Sequence, residues 1–306
     1  MELKNFFWLL FLAALWGPSF LFIKVTVAEI PPFTLVAGRV GVAAAVLYFI
    51  LRLQRRSLPR LGRVWGHFAV MGFFANALPF VLFSWGEQYI DSALAAILNG
   101  ATPLFTMVLA HWLLADDRLT ASKLAGVLLG FGGLLALIGP SLGGGMQTTT
   151  WGLLAIVVAA ASYGVAIVYA RRHLRRLPPL VGPTAQLLMA TFYILPLALL
   201  FEQPWRQSIP SWPVIGSWLA LALFGTALAF VVYYHIMKQM SATFLSMVTY
   251  LAPLFGLLLG VVILDERLSW NAYLGCGLIL LGVMVVNGVF SPFRWGRAAN
   301  MAARPE

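Results

Sequence analysis

The residues of this chain that could do chemistry are amides, hydroxyls and aromatic rings set inside long apolar runs. Asn76 and Asn99 stand out. A carboxamide deep in hydrocarbon needs a partner, either another helix or a wet cavity. Around them fall Trp16, Ser19, Phe80, Phe83, Ser162, Tyr163, Thr226, Phe230, Tyr233, Ser246, Thr249 and Tyr250. Polar groups in a membrane segment usually face the bundle interior or a water-filled cavity. Such a lining binds rather than reacts. Rings stack on an apolar or aromatic side chain, and amides with helix dipoles hold a zwitterionic head group. Each hydroxyl could instead bond back to its own helix carbonyl, and each ring could simply pack or face lipid. The chain has no His-Glu-x-x-His, no Gly-x-Ser-x-Gly and no nucleotide-binding loop. Asp116-Asp117 is a lone acidic pair with nothing near it in sequence to complete a metal site. No catalytic residue, cofactor or metal is expected.

The elements that position these residues are membrane helices. The chain is 61% hydrophobic and 10% charged, with mean hydropathy +0.89; a soluble domain carries about a quarter charged residues. Apolar runs of membrane-crossing length recur throughout, at 6–27, 33–52, 66–86, 92–114, 120–139, 150–170, 180–201, 213–234, 242–264 and 270–290. Each covers about 20 residues, enough for about 30 Å of hydrocarbon. Backbone groups in lipid must be satisfied internally, so the runs are helices. The alternating polarity of an outer-membrane barrel is missing. The run 6–27 is too long for a cleavable signal core. The fold class expected is therefore all-α and integral to the membrane, with ten transmembrane helices.

Charge sets the orientation. The net charge of +10 invites a nucleic-acid partner, but the basic residues sit in the connections between spans. Sixteen of them, including Arg52, Arg55, Arg56, Arg60, Arg63, Arg171, Arg172, Arg175 and Arg176, fall on one side, against Arg206 and Arg267 on the other. The positive-inside bias puts both termini in the cytoplasm of a bacterial inner membrane.

The halves repeat. Ala77-Leu78-x-Phe80-Val81 matches Ala227-Leu228-x-Phe230-Val231, and Pro103-Leu104-Phe105 matches Pro253-Leu254-Phe255. Asp116-Asp117-Arg118-Leu119-Thr120 matches Asp265-Glu266-Arg267-Leu268-Ser269. Gly126 and Gly133 match Gly275 and Gly282, Trp16-Gly17 matches Tyr163-Gly164, and Lys24 matches Arg171. Five spans per half turn the second half upside down, giving two inverted five-helix units, 1–145 and 146–306. Inverted repeats are an architecture of secondary transporters, with the substrate at the repeat interface near the midplane.

Ser92-Ala93-x-x-Ala96, Pro103, Asp116 to Thr120, Gly126 and Gly133, with their second copy, resemble the EamA-type repeat of the drug/metabolite transporter superfamily. Trp16-Gly17 with Lys24 is similar to its start. Asp117 stands where that pattern usually has Glu; Glu266 keeps it. The resemblance covers about residues 6–290, and the whole sequence is most similar to YddG-type exporters of aromatic and other amino acids. It implies export of small metabolites through a central cavity lined by spans 1, 3, 4, 6, 8 and 9, with spans 5 and 10 outside.

Other residues have simpler readings. Lys24 could snorkel outward, and Arg39 pairs with a carbonyl or an external loop. His111 and His235 pack at the interface. Asp117 and Glu266 partner Arg118, Arg267 or nearby helix N-termini, and Thr120 and Ser269 stand at helix N-caps. Cys276, the single cysteine, is a small packing residue. Pro79, Pro103 and Pro253 bend their helices and serve as hinges, the last two in a shared role.

The function expected is export of neutral or aromatic amino acids by alternating access, with lipid bilayer and small-molecule substrate as partners and no nucleic acid. The alternatives are multidrug efflux, for which the cavity offers no buried counter-ion, and an intramembrane enzyme. A neutral cavity without a midplane acid also implies movement down the substrate's own gradient. The topology has a direct test. A cysteine placed in the 143–149 connection should react with an impermeant thiol reagent added outside intact cells; labelling only after membrane disruption would reverse the orientation.

Overall fold

The computed structural model describes residues 3–114, 119–143, 147–174, 178, 180–239 and 248–287. Every regular element among them is helical. Eight helices are long and apolar enough to cross a membrane: Phe6–Thr26, Pro32–Leu53, Arg63–Gly86, Ser92–Leu113, Ala121–Ser141, Thr148–His173, Val181–Arg206 and Trp212–Ile236. They coincide with the first eight spans expected. Leu251–Ile263 and Trp270–Val286 are shorter apolar helices within the ninth and tenth. The start of span 9, with Ser246, and the pair Asp116-Asp117 lie outside the described residues.

Several spans are interrupted, and the interruptions have local causes. Span 1 divides at Gly17-Pro18 into α1 (Leu3–Trp16) and α2 (Ser19–Thr26); Pro18 has no N–H to continue the ladder. Span 4 divides into α3 (Ser92–Asn99) and α4 (Thr102–Leu113), with Pro103 in the first turn of the second piece, where its missing N–H costs nothing. Span 3 carries a π-turn at Phe73–Ala77, just before Pro79. The extra residue in the turn accommodates a proline that cannot donate and would crowd the preceding carbonyl. Span 8 carries a π-turn at the matching place, Leu223–Leu228, with no proline after it. There the Thr226 hydroxyl donates to the Leu221 carbonyl at 3.0 Å, five residues back, the spacing of a π-turn. Pro253, in contrast, lies inside the continuous helix α5 (Val248–Ile263). The shared hinge role expected for Pro103 and Pro253 is not reflected in their local structure: one begins a helix and the other sits within one.

Helix ends inside a bundle leave N–H and C=O groups that need partners. Side chains from distant spans supply them at one end of this bundle. Glu202, at the end of span 7, accepts from the Phe33 and Thr34 N–H groups at 2.9 and 2.6 Å and from the Thr34 hydroxyl at 2.7 Å, closing the start of span 2. Glu266 accepts from the Ser92 N–H, the Ser92 hydroxyl and the Ala93 N–H at 2.8 to 2.9 Å, closing span 4. Asp265 at φ 53° makes the left-handed turn ahead of it, a conformation Asp tolerates better than most residues. Glu29 does the same for Ser211 at the start of span 8. Lys24 serves the opposite polarity: its ammonium donates to the Glu87 and Ile90 carbonyls at 2.8 and 2.7 Å. It therefore turns inward to finish span 3 rather than snorkelling outward. Of the two N-caps expected, Thr120 accepts from the Lys123 N–H at 3.3 Å, while Ser269 makes no side-chain cap bond.

Small residues let the helices approach closely. The broadest helix–helix contact joins Ala121–Gly143 to Trp270–Val286. A β-carbon on Gly126 would lie 2.7 Å from the Gly282 carbonyl, and one on Gly133 2.8 Å from that of Gly275. The pairing is crossed, since Gly126 matches Gly275 in sequence and Gly133 matches Gly282. The same crossing recurs where Gly17 meets Phe255 and Gly164 meets Phe105.

Removing a buried capping carboxylate strands its donors. Glu266→Ala leaves three donors without their acceptor and should cost about 1–3 kcal/mol, read as a lower unfolding temperature in detergent. Glu29→Ala, at an exposed site, should change it less. The Ser211 backbone N–H, then its hydroxyl, holds the Glu29 carboxyl below its ordinary value. The stabilisation from this bond is present above the ordinary carboxylate pKa and disappears as pH falls through the lowered one. A wild-type advantage over Glu29→Ala that persists below that pH would show the bond to be unimportant.

Candidate functional site

The site grows from one face of span 3. Asn76, Phe80, Phe83 and Glu87 recur at three- and four-residue steps and share that face. Phe83 meets Phe20 of span 1 edge-on at 5.6 Å and stacks on Tyr163 of span 6 at 6.1 Å. Against this aromatic wall lies Arg39 of span 2. Its guanidinium carbon is 3.6 Å from the centre of the Phe80 ring, and its Nε donates to the Thr226 hydroxyl at 2.9 Å. Arg39 is only 5% exposed. A planar cation held over a ring and steered by one hydrogen bond keeps its remaining fork of donors for something else.

The structure brings together Phe80, Phe83, Tyr163 and Phe230 in one apolar body. Ser162 is buried there, and its hydroxyl donates to the Phe74 carbonyl of the span 3 π-turn at 2.7 Å, not to its own helix. Asn76 sits in that π-turn and Thr226 in its counterpart in span 8; π-turns are frequent at functional sites. Trp16 and Tyr233 belong to a separate cluster, with ring centres 5.7 Å apart. Asn99 ends the first piece of span 4, where its carbonyl accepts from the Thr102 hydroxyl at 2.8 Å. Thr249 lies near the start of α5 and is half-buried. Tyr250 is in the same helix, and its side chain lies outside the description.

Two expectations change. Arg39 pairs with a hydroxyl inside the candidate site and not with a loop, so the lining is not neutral. Glu87, placed at a span end by sequence, is fully buried. Among the described residues neither of its carboxylate oxygens has a hydrogen-bond partner, and the same holds for the Asn76 amide, Ser84 Oγ and Ser19 Oγ. Burial pushes the Glu87 carboxyl well above the ordinary carboxylate range, against the pull of Lys24 and Arg39. Burial raises neighbouring Asp91 as well. Lys24, Val27, Ala28, Glu87, Gln88 and Tyr89 bound a hollow of about 430 Å³ at this end of the bundle. The histidines are engaged elsewhere. His111 Nδ1 accepts from the Leu119 N–H at 3.2 Å, and His235 packs on Trp8 at 4.7 Å.

Sequence reasoning left Arg39 and Glu87 out of the binding set, reading the first as a structural pair and the second only as a group to test should transport need a proton gradient, and it missed Phe20 and Pro18. A signal existed for Arg39, because a charge two turns inside a span marks a functional site by default. One existed for Glu87 too, since it continues the stripe of Phe80 and Phe83. Pro18 was open to the same reading as Pro79. Phe20 had no signal that set it apart from other span aromatics.

A bundle of apolar helices with polar, unpartnered groups gathered inside it defines a multi-pass membrane transporter. The chain belongs to the EamA-like transporter family, whose model matches it twice, over residues 3–139 and 150–288. It is 27% identical over 281 residues to YoaV, named an uncharacterized transporter, of Bacillus subtilis, covering 90% of this chain and 94% of that one. It is 26% identical over 276 residues to the inner membrane transporter YedA of Escherichia coli K12, covering 89% and 87%. A solved crystal structure superposes over 97% of this chain and 99% of its own, with a TM-score of 0.67 and 22% identity, a likeness of fold.

The interruptions predict which prolines matter. Pro18→Ala and Pro103→Ala restore a donor at helix breaks and should slow transport several-fold in folded, inserted protein. Pro253→Ala, in a continuous helix, should slow it less. The reverse order in a flux assay would place the moving joint in span 9.

Proposed function

We propose that this protein exports small metabolites, in first place neutral and aromatic amino acids, by alternating access across a bacterial inner membrane. In this reading the chain has ten spans in two inverted five-helix units, 1–145 and 146–306, with both termini cytoplasmic. The crossed pairing of repeat equivalents carries it: Gly126 on Gly282 with Gly133 on Gly275, and Gly17 on Phe255 with Gly164 on Phe105. A two-fold relation makes residue i meet the copy of j while j meets the copy of i. Two inverted units can exchange conformations, which opens the site first to one side and then to the other.

The substrate class follows from the lining. Phe20, Phe80, Phe83 and Tyr163 offer ring faces, and Arg39 offers donors for a carboxylate. Trp16, Ser19, Asn76, Asn99, Ser162, Thr226, Phe230, Tyr233, Ser246, Thr249 and Tyr250 complete the proposed set. Multidrug cation efflux is the second reading. The buried carboxylate of Glu87 favours it, and the buried guanidinium of Arg39 opposes it.

Flux into proteoliposomes separates these readings. Labelled phenylalanine should enter without an imposed pH gradient. Phe, Trp and Met should compete better than Lys or Asp, and Trp16→Ala or Asn99→Ala should weaken entry. Competition by lysine equal to that by phenylalanine would favour the cation reading. An absolute need for a proton gradient would end the passive mechanism and make Glu87 the group to test, because both its oxygens are uncommitted.

A further inference from the structure

We infer that Arg39 and Glu87 are the two poles of a zwitterion clamp, Arg39 taking the α-carboxylate and Glu87 the α-ammonium of one amino-acid substrate. The inference rests on the amino-acid reading above and assigns its head-group site.

The fold accounts for neither charge. Arg39 uses one of its five N–H donors, the Nε–H, on Thr226, and among the described residues its terminal amino groups have no hydrogen bond. Glu87 spends its main chain, the N–H on the Phe83 carbonyl and the carbonyl on Lys24, while both carboxylate oxygens are buried and have no hydrogen-bond partner among the described residues. A buried charge without a partner costs several kcal/mol. Here the Arg39 guanidinium lies over Phe80 and Glu87 follows two turns along the same face, and no ion pair joins them among the described residues. The other charges facing Glu87 are Lys24, Glu266 and Asp91, and the first two are occupied. Lys24 is held by two carbonyls, Glu266 by Ser92 and Ala93, and Asp91 belongs to the turn before span 4.

The geometry suits one ligand chemistry. Phe80 carries the guanidinium, and Glu87 lies seven residues on along the same face, about 10 Å by helical rise. An α-amino acid places a carboxylate and an ammonium on one carbon. It would meet the Arg39 fork on one side and the Glu87 oxygens on the other, with its side chain toward Phe83 and Tyr163. A bidentate guanidinium–carboxylate pair and an ammonium–carboxylate pair are both charge-assisted and strong out of water. An amine or an acid alone would leave one buried charge unpaired, so the clamp also discriminates.

Three probes sharing a phenyl ring test it: phenylalanine, 2-phenylethylamine without the carboxylate, and 3-phenylpropionate without the ammonium. Equilibrium binding of each to the purified full chain is measured. The wild-type protein should hold phenylalanine roughly ten- to hundredfold tighter than either truncated probe. Arg39→Gln should weaken phenylalanine and phenylpropionate by a similar factor and spare phenylethylamine. Glu87→Gln should weaken phenylalanine and phenylethylamine and spare phenylpropionate. If Arg39→Gln does not fold, Arg39→Lys keeps the charge but loses the fork, and it must still weaken the two carboxylate probes selectively. Equal weakening of all three probes in both variants overturns the clamp and leaves these residues a structural role. Unchanged phenylalanine binding in both variants overturns it too, with the amino-acid reading intact. A wild-type protein that binds no amino acid at all removes that reading, and the clamp with it.

Discussion

A backbone N–H or C=O left open to hydrocarbon costs several kcal/mol, and the structure is organised around that cost. Continuous helices avoid it, but this bundle breaks its helices at Gly17-Pro18 and at Asn99–Thr102, and loosens them into π-turns in spans 3 and 8. Three of these departures carry a side-chain hydrogen bond, from the same span or from another. Ser162 donates to the Phe74 carbonyl, and Thr226 bonds across its own π-turn. At the helix ends Glu202, Glu266 and Glu29 gather N–H groups, and Lys24 gathers carbonyls. Irregular backbone at membrane depth is tolerated only where protein or a wet cavity satisfies it, so these interruptions lie inside the bundle and not against lipid.

The same accounting separates structural charges from the others. Glu202 and Glu266 saturate their oxygens with backbone donors from another span, tying ends of helices that lie far apart in sequence. Arg39 and Glu87 are buried more deeply and remain largely unspent among the described residues. Packing does not require them, since an apolar side chain would fill either place at less cost. Arg39 is buried against Phe80, and Phe83 of the same face stacks on Tyr163.

Close helix approach supplies the mechanical frame. Gly126, Gly133, Gly275 and Gly282 remove the side chains that would hold two helices apart. Without a strong hydrophobic drive between helices in lipid, such contacts carry much of the association. The helices they join make the broadest contact in the molecule. The interrupted spans 1, 3, 4 and 8 lie outside this glycine-lined pair.

Much was legible in sequence because it depends on counting along one chain. Apolar run length marks a membrane helix, and the eight long helices and two shorter ones fall where those runs were read. The doubled motif is likewise a linear pattern, and the family model matches it twice. Residue type flagged Asn76 and Ser162, which meet at the span 3 π-turn, Phe80 and Phe83 on the same helix, and Thr226, which bonds the Arg39 lying over Phe80. What tertiary structure alone decided is which polar groups find partners. Arg39 and Lys24 read alike in sequence, each a cation within a span. Lys24 is taken up by two carbonyls, whereas Arg39 crosses to Thr226 and a ring. Glu87 and Glu266 also read alike, as acids at span ends, yet one collects three donors and the other collects none. Hydrogen bonds of this kind join residues 63 to 187 positions apart. No local pattern encodes such a contact, because it exists only once the helices have packed.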